Sequence, residues 1–372
     1  MRMDELELKW ESMAKAIDAQ PAYLRNGAAR ALFAAADDLP MKVPSRIYLV
    51  GCGDSHYAGL ATRFAFERWS GIPTEALESL EFSRYAVVSA PTDALVIAVS
   101  NSGRVARTVE CASFASSRGI PTLAVTYDAT SRLADASGMV LPYVYEDVGF
   151  GPGTLSYLAS LVTLYAVALR LGHLTGVISD ASEHLDRIAA CGEASEATIR
   201  DAGASVPALV KQMSLQSQLV IIGGGPNYGT ALFGMAKFIE SARHPAVGQE
   251  LEEWAHEQYF CTGPGTFTVA IAPEGRSADR AREQLRAVRD VGGVSVAVCG
   301  PDDSATRGVA DLVLPAHDTG DELLSPIVTA LPIEMAALEF ARGHGLTMLG
   351  FDDENRRLVN FRQIFDSVIP DA

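Results

Sequence analysis

Short runs of apolar, largely β-branched residues recur along the chain, and each ends in glycine or serine. Arg46-Ile-Tyr-Leu-Val50 leads into Gly51-Cys-Gly53, and Ala94-Leu-Val-Ile-Ala-Val-Ser100 leads into Asn101-Ser-Gly103-Arg104. Longer amphipathic stretches follow the runs, such as Arg104–Arg118 and Ser277–Val291. Strands alternating with helices imply βαβ units and a parallel sheet covered on both faces. The pattern therefore predicts an α/β protein of doubly wound αβα sandwiches. A helix is expected over roughly residues 4–19, and a long Ala- and Glu-rich helix over roughly 176–202. The longest apolar stretch, Leu155–Leu171, is interrupted by Ser, Thr, Tyr and Arg. That predicts a buried core helix rather than a membrane span.

The pattern occurs twice. Gln218-Leu-Val-Ile-Ile222 runs into Gly223-Gly-Gly225, and Thr266-Phe-Thr-Val-Ala-Ile-Ala272 precedes Gly275-Arg276. Gly51 and Gly223 are 172 residues apart, as are Gly103 and Gly275, and Pro142 and Pro315 are 173 apart. Register held over three landmarks indicates an internal duplication, with two tandem domains of the same kind.

Composition narrows the function. The 372 residues are 48% hydrophobic and 20% charged, as in a globular protein with ample core. The net charge of −16 argues against a general nucleic-acid binder, which needs a basic face to displace counterions. It leaves a small anionic ligand open, because backbone N–H groups and a helix N-terminus hold an anion whatever the global charge. The five cysteines, Cys52, Cys111, Cys191, Cys261 and Cys299, form no C-x-x-C pair and fit a reduced, cytoplasmic compartment. The first residues lack the apolar run of a secretory signal. The seven histidines are dispersed, so no metal site is expected, and no redox cofactor either.

Two loops carry candidate chemistry, since ligands of open parallel sheets sit beyond the carboxyl ends of the strands. One is Gly51-Cys52-Gly53-Asp54-Ser55 and the other Ser100-Asn101-Ser102-Gly103. Two hydroxyls, an amide and a glycine at a helix start can surround a phosphate. The bland alternative is N-capping by Ser100 or Ser102. The matching loop of the second half, Ala272-Pro273-Glu274-Gly275, has no hydroxyl and carries an acid. A phosphate site in the first half alone is the better account. A dinucleotide reading rests on Gly51-Cys-Gly53 and Glu75, but His56 stands where G-x-G-x-x-G has its third glycine.

At these loops the chain resembles the SIS (sugar isomerase) superfamily, in particular the isomerase half of glucosamine-6-phosphate synthase and its stand-alone relatives, the fructosamine-6-phosphate deglycases and phosphosugar isomerases. Gly51-Cys-Gly-Asp-Ser-His-Tyr-Ala-Gly59 is similar to that family's G-C-G-T-S-x-x-A-G loop. Ser100-Asn-Ser-Gly103 resembles its S-Q-S-G phosphate loop, Glu81-Phe-Ser-Arg-Tyr85 its S-E-F-R-Y segment, and Gln20-Pro21 its E-Q-P. Only about twenty residues precede Gln20-Pro21, so no glutaminase domain is expected.

The resemblance implies two tandem flavodoxin-like SIS domains: a helical arm over 1–40, a first domain with the phosphate loops over 41–175, a helical connector over 176–205, a second domain over 206–345, and a tail over 346–372 that closes over the site. It implies that Glu240, in Lys237-Phe-Ile-Glu240, is the base that shuttles a proton between C1 and C2, with Lys237 as accessory cation. It implies that His256, in Glu253-Trp-Ala-His256, assists ring opening from a neighbouring subunit, hence a homodimer, with Glu253 beside it in the catalytic set. The ligand contacts it implies are Gly53, Asp54, Ser55, Ser100, Asn101, Ser102, Gly103, Thr154 and Asn360. Read from spacing alone, Lys237 and Glu240 share a helix face and form a surface ion pair of little energy, and His256 is a solvated helix residue among Glu252, Glu253 and Glu257.

The chain departs from the family pattern at four places. Asp54 stands for a phosphate-binding threonine, Val105 for a hydroxyl, Asn360 for a lysine of the tail, and His256-Glu257-Gln258 for H-G-P. A carboxylate within ~4–6 Å of a phosphate repels it unless protonated or turned away. These changes shift the expectation from the synthase toward the stand-alone isomerases, deglycases and deaminases. Two function classes stay open: an enzyme acting on a sugar 6-phosphate or fructosamine phosphate through an enediol or enamine, and a non-catalytic sugar-phosphate-binding regulator. A dehydrogenase ranks third.

Overall fold

The computed structural model describes residues 10–370. The part of the expected first helix before Trp10 lies outside them. The chain begins with α1 (Trp10–Arg25) and α2 (Ala28–Asp37). The first sheet and its cover are β1 (Ile47–Gly51), α3 (Asp54–Ser70), β2 (Thr74–Glu78), α4 (Ser79–Arg84), β3 (Leu95–Val99), α5 (Ala106–Ser117), β4 (Thr122–Thr126), α6 (Arg132–Ala136) and β5 (Met139–Pro142). α7 (Leu155–Thr175) and α8 (Ser182–Gln212) come next. The second sheet is built by β6 (Gln218–Gly223), α9 (Pro226–Ala242), β7 (Ala246–Glu250), α10 (Glu253–His256), β8 (Thr266–Ile271), α11 (Ala278–Asp290), β9 (Val294–Cys299), α12 (Ser304–Arg307) and β10 (Leu312–Pro315). α13 (Pro326–Gly343) and α14 (Glu354–Phe365) follow.

These elements form two compact units, each discontinuous in sequence. The first unit contains residues 26–146, 156–189 and 353–370. The second contains residues 10–25, 147–155 and 190–352. α1 belongs to the second unit and α2 to the first. Met13 and Ile17 of α1 pack with Leu331 and Leu338 of α13, and buried Gln20 donates from Nε2 to Glu334 Oε2 at 2.7 Å.

Each unit has one five-stranded, all-parallel sheet. The orders are β2-β1-β3-β4-β5 and β7-β6-β8-β9-β10, the same topology twice. This is the doubly wound order whose switch point lies between the first and third strands. β1, β3 and β4 are buried along their whole length, as central parallel strands covered on both faces must be. An 18-residue window of α7 (Leu155–Thr175) is 89% buried, a core helix as its interrupted apolar pattern predicts.

The strand-to-helix turns explain the glycines. An added Cβ at Gly51 would lie 2.8 Å from Ser55, and one at Gly223 2.3 Å from the Asn227 carbonyl oxygen, so only glycine lets each helix fold back so tightly. Gly53 (φ 53°, ψ −128°) and Gly225 (φ 57°, ψ −127°) adopt one backbone geometry that residues with a Cβ avoid. Gly225 caps α9 with Pro226 at its first position, where the missing N–H is no loss.

Candidate functional site

In the first unit, the two predicted loops sit at the carboxyl ends of β1 and β3. Gly53 precedes α3, with Asp54 and Ser55 in its first turn, all three partly or fully accessible. After β3 the chain turns sharply: the Gly103 N–H donates to the Ser100 carbonyl at 3.0 Å, and Gly103 holds φ +60°. A Cβ on Gly103 would lie 2.0 Å from Ser131 Oγ, so the position is closed to other residues by both conformation and contact. Ser131 in turn caps α6 through the Ala134 N–H.

The capping explanation of this loop does not hold. α5 starts at Ala106 with Val105 as its cap residue. Ser102 Oγ instead accepts from the Arg104 N–H at 3.2 Å. Ser100 is 2% exposed, and its hydroxyl makes no hydrogen bond among the described residues. A hydroxyl so placed is available to a ligand oxygen. Asn101 is exposed and its Oδ1 accepts from two phenols, Tyr143 at 3.1 Å and Tyr145 at 3.0 Å. The Tyr145 ring also lies 5.0 Å from that of Tyr127. Sequence reasoning missed these tyrosines; the Tyr143-Val-Tyr145 alternation directly after Leu141-Pro142 was the available signal.

Burial pushes His56 below its ordinary value, opposed by Glu78, a backbone hydrogen bond to Leu77 and Glu81. The neutral ring is therefore favoured despite the nearby carboxylates.

Asn360 is half-buried on α14, in the first unit. Arginines of α5 and α6, and the one just before α5, hold this tail. Arg107 donates to Ser367 Oγ at 3.0 Å and to the Val368 carbonyl, and Arg132 donates to the Phe365 carbonyl at 3.1 Å. The Arg104 guanidinium stands 5.1 Å from the Phe365 ring centroid. Arg107 also meets the wholly buried Glu110 carboxylate, which Arg84 and Ser83 complete. The hold on the tail was not legible beforehand, since its partners lie up to 261 residues apart.

In the second unit, Lys237 and Glu240 do pair, but not at the surface. The Lys237 side chain is 0% exposed and Glu240 32% exposed, with Nζ 2.5 Å from Oε2. Nζ also donates to the Gly153 carbonyl at 3.1 Å and lies 4.8 Å from the Phe233 ring centroid. A buried ammonium is tolerated only with such company. The spacing rule found the pair; its burial comes from Gly153, 84 residues away, and from the apolar neighbours on α9. Thr154, next to Gly153, is 1% exposed and its hydroxyl has no partner among the described residues.

His256, at the end of α10, is 66% exposed by side chain and 3.6 Å from Glu252. Glu253 is exposed at the start of the same short helix, with Trp254 buried between them. Arg280 holds the Glu252 carboxyl below its usual range, with His256 a lesser cause.

The second unit's counterpart of the anion loop is filled from within. The Arg276 N–H donates to Glu322 Oε1 at 3.0 Å, and that oxygen lies 2.3 Å from where a Gly275 Cβ would be. A carboxylate of the chain thus occupies the place an anion would take. Beside it a cavity of about 1020 Å³ is lined by Glu193, Glu274, Asp302, Asp303, His317 and Asp318 among others. Lys237, Glu240, Glu253 and His256 do not line it.

Residues 41–170 match the family model of the SIS domain. The glutamine–fructose-6-phosphate aminotransferase (isomerizing) of Gloeobacter violaceus is 29% identical over 317 residues, covering 84% of this chain and 51% of that protein. The chain thus spans about half the length of the curated relatives it matches. Among solved structures, the C-terminal domain of glucosamine-fructose-6-phosphate aminotransferase from Francisella tularensis aligns with a TM-score of 0.76 at 19% identity, over 94% of this chain and 99% of that one. Glucosamine-6-phosphate deaminase from Thermotoga maritima aligns at 0.72 and 16% identity, over 90% and 96%. At those identities the structural matches speak to fold. Residues 41–170 are thus a SIS domain by their match to the family model, and the second unit repeats the sheet order of the first.

Proposed function

We propose that this chain is an enzyme of the phosphosugar isomerase or deaminase type, acting on a sugar 6-phosphate or a fructosamine phosphate through an enediol or enamine. The observation that carries the proposal is the Lys237–Glu240 pair. Its carboxylate is one-third exposed while its cation is buried, so the anion is held in one orientation and still reachable. Moving hydrogen between adjacent sugar carbons needs such a carboxylate. It takes the proton from one carbon as the electron pair moves to the carbonyl oxygen or imine nitrogen, and returns it to the other.

The remaining roles follow from the chemistry each group can offer. Ser100, Asn101, Ser102 and Gly103, with Gly53 and Ser55 at the start of α3, hold the phosphate through N–H and O–H donors. Asp54 faces the sugar hydroxyls or the amine rather than the phosphate, which it would repel. Thr154 and Asn360 complete the ligand contacts. His256, well exposed here, assists ring opening in a partner subunit of a cytoplasmic homodimer, with Glu253 beside it. The relatives support the sugar-phosphate class: one matched protein is named for fructose 6-phosphate and another for glucosamine 6-phosphate.

The test is product analysis by mass spectrometry and chromatography after incubation with fructose 6-phosphate, glucosamine 6-phosphate and fructosamine 6-phosphate. Conversion of one of them, lost in Glu240→Gln and in His256→Ala, supports the assignment. Conversion that survives Glu240→Gln would assign the proton transfer elsewhere. A monomer by light scattering at assay concentration removes the trans role of His256.

A further inference from the structure

The first unit's loop offers a ligand hydrogen-bond donors and almost no acceptors. The Ser100 carbonyl accepts from the Gly103 N–H. The Asn101 carbonyl accepts from the Tyr127 N–H at 3.0 Å and from Thr126 Oγ1 at 3.3 Å. The Gly103 carbonyl accepts from the Leu133 N–H, and Ser102 Oγ from the Arg104 N–H. The side-chain oxygen of Asn101 is taken twice over, by the hydroxyls of Tyr143 and Tyr145. Among the donors the loop leaves over are the two N–H bonds of the Asn101 amide and the hydroxyl protons of buried Ser100 and of Ser102.

Two phenols converging on one atom of Asn101 decide which way the amide faces. Each phenol has one proton to place, and the amide oxygen has two lone pairs to receive them. The reverse orientation would spend the amide protons on the tyrosines and present the oxygen to the ligand, where an anion would be repelled. Tyr143 is wholly buried, and its hydroxyl also lies 3.3 Å from Ser160 Oγ, so the phenol is fixed from behind. The sequence shows the Tyr143-Val-Tyr145 alternation after β5 but not its contact with a loop after β3.

We infer that Tyr143 and Tyr145 are positioning residues that hold Asn101 as a donor-only group, making this loop selective for a fully ionised phosphate over a neutral hydroxyl or a cationic group. The inference rests on the reading of Ser100–Gly103 as the phosphate-holding loop and deepens it. Asn101 touches the ligand; the tyrosines act through it.

The test is calorimetric titration of the full chain with inorganic phosphate, fructose 6-phosphate and fructose, alongside steady-state kinetics. Wild type binds both phosphate compounds and shows no binding of fructose over the same range. Asn101→Asp keeps an acceptor for both phenols, so its thermal midpoint stays near wild type, but it has no donor and carries a charge; binding of both phosphate compounds falls at least 100-fold. Tyr143→Phe with Tyr145→Phe frees the amide to rotate. Kd for inorganic phosphate and KM for the sugar phosphate then rise together, about 10-fold, with kcat unchanged, since the proton transfer at Glu240 does not involve this loop. Wild-type affinity in the double tyrosine variant, a fall in kcat as large as the rise in KM, or failure of the wild type to bind either phosphate compound each overturns the inference. Binding with this selectivity but no turnover leaves the inference standing and sinks only the enzyme reading.

Discussion

Lys237 Nζ lies 2.5 Å from Glu240 Oε2, one turn apart on α9, with the cation wholly buried and the anion one-third exposed. The asymmetry makes the two residues unequal in substitution. Glu240→Gln keeps the shape and a hydrogen-bond acceptor but removes the counter-charge that Glu240 supplies to a buried ammonium. Its cost is about 1–3 kcal/mol, below that of a fully buried pair because water still reaches the glutamate. Lys237→Met removes the buried charge itself and leaves a carboxylate that can hydrate, so its stability change is smaller. Urea unfolding midpoints should rank wild type, Lys237→Met, Glu240→Gln in falling order. The opposite order would mean that the ammonium has other anionic support.

Glu110 is the structural counterpart in the first unit. Its carboxylate is 0% exposed and shared by Arg84, Arg107 and Ser83. Glu110→Ala strips two arginines of their partner and is expected to lower stability by about 3 kcal/mol. Arg107→Ala leaves Arg84 on Glu110 but releases the tail at Ser367 and Val368. Hydrogen exchange should therefore quicken in α14 and the residues after it, while the strands of the first sheet keep their protection. Uniform loss of protection would show that Arg107 holds the whole unit rather than its tail.

Stability should fall on mild acidification. Burial lowers the folded-state value of His56, against Glu78, the Leu77 backbone and Glu81. It lowers His244 as well, aided by His344 and opposed by a backbone hydrogen bond to Ser217. For a histidine lowered on folding, the unfolded chain binds more protons, so stability rises with pH in that window. The contribution is complete above the ordinary value of 6.5 and is lost as pH drops through the folded-state values below it. Urea midpoints measured between about pH 8 and pH 5.5 should decline below pH 6.5, with a shallower slope in His56→Gln and His244→Gln together. An unchanged slope in the double variant assigns the decline to other groups.

The sheets were legible because unbroken apolar runs ending in glycine have few other uses, and the repeat spacing tied Gly51 to Gly223 and Gly103 to Gly275 before any contact was known. The loops after β1 and β3 were legible for the same reason. Spacing also placed Lys237 against Glu240 but misjudged their setting, because burial depends on Gly153 and Phe233 packing around the ammonium. The orientation of Asn101 by Tyr143 and Tyr145, and the arginine hold on the tail, rest on contacts between residues 42 to 261 positions apart. No local period encodes them. Glu322, seated on the Gly275 loop, is of the same kind: the missing hydroxyls of that loop could be read, but not what had taken the anion's place.

The most direct measurement is proton NMR in D₂O with fructose 6-phosphate, glucosamine 6-phosphate and fructosamine 6-phosphate, for wild type and Glu240→Gln. Proton transfer by Glu240 predicts loss of a C1 or C2 proton signal, through exchange with solvent or product formation, with at least one of these sugars. In the variant that loss slows by about 10²–10⁴-fold, the range for removal of a general base. Tight binding of a sugar phosphate with no exchange at either carbon in the wild type would contradict the catalytic account and leave a sugar-phosphate-binding regulator in its place.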